Sequence, residues 1–192
     1  MTSTLHVAVS ARRVPEGDGE ALALRYVVTN PFALEVLLFD RDADGDRDWM
    51  DVRLEGARAR LSRALVSCPA EVLAHEVAPP LARLLAPGAS HATEVKLALP
   101  LCEAGPWLDL TREPIAPDAP REVSVDALEL ALGWCVLYDR AALPDEVREP
   151  IERDGEVLFA LPTELMAPAQ QELVVAAGAL SLTARVFDGG VA

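Results

Sequence analysis

A chain of 192 residues, 51% hydrophobic and 25% charged, is long enough to bury a sizeable core and too apolar to remain disordered. Its formal net charge of −14 opposes binding to nucleic-acid phosphates and anionic membranes, and suits cations, basic partners or plain solubility. No apolar run reaches the roughly 18 residues of a membrane span, and the opening MTSTLHVAVSARR lacks a basic-then-apolar targeting pattern, so the expected location is the cytoplasm.

The first segments alternate with a period of two, the mark of half-buried strands. In 4–12, Leu5, Val7 and Val9 share a face. In 20–30, Leu22, Leu24, Tyr26 and Val28 share one face, with Ala21, Ala23, Arg25 and Thr29 on the other. Asn30-Pro31 signals a turn. Residues 33–40 are apolar on both faces, as a central strand requires. After an acidic loop, 49–55 reads as a strand. In 57–66, Arg58, Arg60 and Ser62 alternate with Ala59 and Leu61, although Leu54, Ala57, Leu61, Ala64 and Cys68 also fit a helical stripe. Gly56 weakens the helix, and strand is the expectation.

Residues 71–78 read as another strand, and in 91–99 Val95, Leu97 and Leu99 point inward while Glu94 and Lys96 point outward. The longest candidate is 122–138, where the apolar phase slips between Val125 and Leu128 as at a bulge. A second phase change falls near Gly178 in 171–187. Helical signals are confined to single turns at 145–149 and 163–166, each cut short by proline. Short strands joined by turns rich in Pro and Gly indicate one all-β domain over 1–192. The expected form is an antiparallel β-sandwich with a few short helical turns and a long irregular connection at 100–121. Cys68, Cys102 and Cys135 are odd in number and widely spaced. They read as reduced thiols, with Cys135 in the core beside Trp134.

The order strand, Asn-Pro turn, strand, then the PGAS turn before an alternating strand resembles bacterial immunoglobulin-like sandwich domains over about residues 4–138. The resemblance implies a recognition or assembly module that presents loops and edges to a partner. The cysteine pair and central Trp of antibody domains are not matched, since Trp134 directly precedes Cys135.

Residues 40–51, DRDADGDRDWMD, carry the sharpest local pattern. Asp40, Asp42 and Asp44 followed by Gly45 resemble the first half of an EF-hand calcium loop. Asp46, Asp48 and Asp51 fall at the later ligand positions. That resemblance implies a calcium or magnesium ion held by Asp40, Asp42, Asp44, Asp46, Asp48 and Asp51. Asp51 is shorter than the usual Glu, Arg47 stands where an apolar residue is usual, and the incoming segment is strand-like. The competing reading is a solvated turn, because Asp and Gly are favoured turn residues.

Enzyme motifs are missing: there is no G-x-S-x-G, Walker A loop or G-x-G-x-x-G. His75-Glu76 begins a zincin pattern that Pro79 breaks. His6, His75 and His91 lie far apart in sequence, and Cys68 with His75 lacks an evident third group. Trp107, in GPWLDL, either anchors a partner or folds back to cap one end of the domain. The leading expectation is a non-enzymatic interaction or assembly module, through a protein partner or self-association. The alternatives are a cation-dependent version of it and, more distantly, a hydrolase with a site assembled from scattered residues.

Overall fold

The computed structural model describes residues 4–41, 49–65, 81–104, 121–138, 149–153, 155–160 and 170–186. These form strands β1 (His6–Glu16), β2 (Gly19–Thr29), β3 (Glu35–Arg41), β4 (Asp51–Glu55), β5 (Arg58–Arg63), β6 (Leu81–Leu85) and β7 (Ser90–Ala98). The later strands are β8 (Leu101–Cys102), β9 (Arg121–Val125), β10 (Ala127–Leu137), β11 (Ile151–Arg153), β12 (Glu156–Ala160), β13 (Gln171–Gly178) and β14 (Leu182–Val186). The all-β class expected from the alternation is what forms. The short helical turns are not borne out: the described residues contain no helix, and 145–148 and 163–166 lie outside them, as does 71–78. Among the described residues, no helix is long and apolar enough to cross a membrane.

There are three sheets: β1-β2-β7, an eight-stranded sheet ordered β11-β12-β6-β3-β10-β5-β4 with β13 also on β10, and β8-β14-β9. Pairing is mostly antiparallel, but β5 runs parallel to β10 and β8 parallel to β14, which corrects the expectation of a purely antiparallel arrangement. Parallel neighbours need a long connection between them, so no local turn announces them. The irregular connection expected over 100–121 begins with β8 and with Ala104 bridged to Val52, and 105–120 lies outside the described residues.

All three sheets bury their apolar phases in one cluster. Leu22, Leu24, Tyr26 and Val28 of β2 meet Val36 and Leu38 of β3, Leu61 of β5, and Leu128 to Trp134 of β10. Val125 and Leu182 join from the third sheet. The opposite phase of the central strands, Leu37, Phe39, Ala82, Cys135 and Phe159, forms a second buried cluster. This two-sided burial explains the continuous apolar run in β3. Cys135 is buried, and burial pushes its thiol up to about 11. Asn30, also buried, donates from Nδ2 to the carbonyls of Leu34 and Leu85 at 2.8 and 2.9 Å and accepts from the Phe32 amide at 2.9 Å. It thereby ties the end of β2 to the start of β3 and the end of β6.

The ambiguous segment 57–66 is a strand. Gly56, at φ +62°, makes the turn that folds β5 back on β4, a geometry a helix would forbid. The two phase slips flank a break in register between β10 and β13, where Leu128 faces Gly178 and Glu129 faces Ala176 so that Ala177 is the extra residue. Each slip also marks the chain passing between sheets: β9 pairs with β14 while β10 belongs to the large sheet, and β13 pairs with β10 while β14 returns to β9. Asp126, between β9 and β10, is held by its amide on the Ala57 carbonyl at 2.8 Å.

One junction positions everything that follows. Trp134 pairs with both Leu38 and Gln171, so β3 and β13 occupy opposite edges of β10. β5 pairs with 127–132 and β3 with 134–137, so these two strands meet end to end along one edge, at Gly133. The Gln170 side chain crosses this point, accepting from the Leu65 amide at 2.7 Å and donating to its carbonyl at 3.1 Å. A Cβ on Gly133 would lie 2.5 Å from Phe39 Cδ2 and 2.8 Å from Ala64 Cα. Gly133→Ala is therefore expected to destabilise the protein by about 2 kcal/mol or more, read as a lowered denaturation midpoint with an unchanged slope.

Candidate functional site

Asp40 lies at the end of β3 in the phase of Val36 and Leu38, so its carboxylate points toward the core between sheets. A buried carboxylate must be paired and hydrogen-bonded to stay ionised. Three strands supply the partners. Arg63 Nη1 of β5 is 3.3 Å from Oδ1, and Arg83 of β6 approaches Oδ2 with Nη2 at 3.0 Å and Nε at 3.3 Å. From β7, His91 Nε2 and Thr93 Oγ1 each lie 3.4 Å from Oδ1. Burial alone would raise the Asp40 carboxyl. The His91 hydrogen bond and the Arg63 and Arg83 charges outweigh it and hold the group well below the usual carboxylate range.

Arg63 is wholly buried and does more than neutralise Asp40. Its Nε donates to the Trp49 carbonyl at 3.1 Å and its Nη1 to the Asp40 carbonyl, so one guanidinium grips both stems of the acidic loop. Its face lies 5.9 Å from the Tyr26 ring centroid, within cation–π range. Burial raises the Tyr26 phenol above its ordinary value, and its hydroxyl has no partner in hydrogen-bonding geometry. Glu156 of β12 extends the network outward, accepting from Arg83 at 2.9 Å and from the buried Arg41.

At the loop's other stem, Asp51 of β4 is 3% exposed. Its Oδ1 accepts from Trp49 Nε1 at 3.2 Å, and its Oδ2 has no hydrogen-bond partner. Burial, only partly offset by Trp49 and Arg53, pushes its carboxyl up to about 6. The two ends of the Asp run are thus electrostatic opposites. Asp40 is locked as an anion among cations, and Asp51 is an anion without a full partner.

Of the residues expected to hold a cation, Asp42, Asp44, Asp46 and Asp48 lie outside the described residues, as do Trp107, Cys68 and His75. Among the described residues no group of three or more His, Cys, Asp or Glu side chains could hold a metal ion. His6 and His91 are not brought together: His6 is exposed on the outer face of β1, while His91 faces the ionic cluster. Sequence reasoning missed Arg63, Arg83, Arg41, Glu156, Tyr26 and Thr93 as a group. One signal was available: Arg63 shares the apolar phase of Ala59 and Leu61, where an exposed arginine does not belong.

What this geometry does is join Asp40 and Trp49, the residues that flank the acidic run, through Arg63. Three arginines and two carboxylates, all on strands of the large sheet, form this network, and His91 and Thr93 of β7 reach Asp40 from the other sheet. No family model, curated protein or solved structure matches the chain.

The raised Asp51 group makes a signed prediction. Its folded-state value of about 6 exceeds the ordinary 3.8, so the folded protein holds this proton more tightly than the unfolded chain. That favours folding at low pH and is lost as pH rises through about 6, by an amount on the order of 2–3 kcal/mol. Asp51→Asn cannot ionise, so the melting temperature of the variant minus that of the parent should become more positive between about pH 4 and pH 6 and then level off. A difference that does not change with pH would show that Asp51 ionises as freely in the folded chain as in the unfolded one.

Proposed function

We propose that this chain is a non-enzymatic protein-interaction or assembly module with an immunoglobulin-like sandwich arrangement, acting through an open sheet edge. The observation that carries the reading is β1. It runs eleven residues in unbroken register with β2, and among the described residues no strand is hydrogen-bonded to its other side, although part of it lies close to β13 and Arg13 donates to the Ser181 carbonyl. An edge of that length offers a row of amides and carbonyls to an added strand. Its first half, HVAVSA, carries no Lys, Arg, Asp or Glu and no proline, the usual devices that block such pairing.

Ala8 and Ser10 are exposed on β1 and face away from the core. Introducing Ala8→Lys with Ser10→Lys should weaken self-association or partner binding at least about tenfold in sedimentation velocity, while leaving the melting temperature nearly unchanged. A parent chain that stays monomeric at about 100 μM, and whose partner contacts survive the double substitution, would sink the reading.

One observation favours a second reading, a divalent-cation-dependent form of the same module. Asp51 Oδ2 is buried without a hydrogen-bond partner at the end of the acidic run, and a cation would satisfy it. Asp40 contributes less to this reading than its position in the pattern implies, since its oxygens already face Arg63, Arg83 and His91. A bound ion must stabilise the folded state, so millimolar calcium is expected to raise the melting temperature and a chelator to reverse the rise. No change with either calcium or magnesium removes this reading.

A further inference from the structure

On the outer face of the large sheet, Arg53 of β4 and Arg60 of β5 are directly opposed in the antiparallel register. Directly opposed like charges destabilise a sheet. They line a cleft of about 200 Å³ together with Ser62, Leu65, Glu55 and Glu172. Arg60 has one ion-pair partner among the described residues, Glu172 of β13, engaged through Nη2. A guanidinium carries five N–H donors, so most of the Arg60 fork remains available. Arg53 is exposed and makes no hydrogen bond or ion pair among the described residues. The buried Ser62 Oγ accepts from the Ala64 amide at 3.1 Å, which leaves its hydroxyl proton free to donate.

We propose that this cleft is a carboxylate-binding site, with the ligand's two oxygens bridging Arg53 and Arg60 and Ser62 donating a further hydrogen bond. A planar carboxylate matches the guanidinium fork of Arg53 and takes the Arg60 donors that Glu172 leaves unused. Glu55 and Glu172, which also line the cleft, and Asp51 opposite Ser62 in the same register select against a second negative charge on the ligand. The class is therefore a monoanionic carboxylate and not a phosphate dianion. Leu65 and Ala64 give the apolar stem behind the carboxylate a surface to lie on. The same chemistry is offered by a small free acid and by a Glu or Asp side chain of a partner.

The test is a titration of the full chain, following the arginine Nε–Hε resonances, with acetate, N-acetyl-glutamate amide and inorganic phosphate as probes. Saturable shifts at Arg53 and Arg60 are expected with both carboxylates in the millimolar range. Arg53→Gln should weaken them about tenfold, and Arg58→Gln, whose parent arginine pairs with Glu129 at 3.0 Å, should leave them intact. Equal binding of both carboxylates would point to a small free acid, and tighter binding of the glutamate amide to a partner's side chain. Either result supports the site. Absence of saturable shifts, an unaffected Arg53→Gln, or tighter binding of phosphate overturns it.

Discussion

A fully buried guanidinium cannot stand alone, and the organisation around the acidic loop follows from satisfying Arg63. Its charge demands Asp40, its remaining N–H groups take the carbonyls of Asp40 and Trp49, and its face rests against Tyr26. Those partners come from β2, from β3 and from the segment that leads into β4. The contact with Tyr26 forms only when the small sheet and the large sheet are packed together. Losing one member of such a network leaves another charge buried without its counter-ion, which costs far more than the pair itself contributes.

The junction at Gly133 is the steric condition for this electrostatic one. β5 ends where β3 ends, on the same edge of β10, and only a residue without a side chain lets Phe39, Ala64 and Gln170 close over the gap. Arg63 and Asp40 stand beside that meeting point. Packing and charge therefore specify the same arrangement, so Arg41 and Trp49, on either side of residues 42–48, stand at fixed points. A turn this acidic, on a chain of net charge −14, repels itself. Holding Asp40 against Arg63 and Arg83 reduces that cost at one end of the run.

Much of the strand structure was legible as alternation. Leu22, Leu24, Tyr26 and Val28 fall inward, and so do Val95 and Leu97, because period two follows from strand geometry alone. The double-sided burial of β3 was legible from its unbroken apolar run. The phase slips at Val125 to Leu128 and at Gly178 were visible, but their meaning was not. A bulge and a change of sheet disturb the pattern in the same way, and telling them apart depends on partners more than 50 residues away, such as Leu182 facing Val125. The candidate site was legible only at its ends. Asp40 and Asp51 belong to an obvious acidic run, while their opposite protonation behaviour depends on neighbours from other strands.

By itself the sequence determined the local propensities: an all-β chain, the inward phase of most strands, the turn at Asn30-Pro31, and a net charge that disfavours phosphate backbones. Each depends on residues within a few positions of one another. Only the tertiary structure decided that β5 runs parallel to β10, that Arg63 faces Asp40, and that Arg53 opposes Arg60 over a cleft. Those facts rest on register between distant strands. A shift of one residue would turn every one of these side chains to the other face, and register is set by how well the apolar phases and buried charges fit together as a whole.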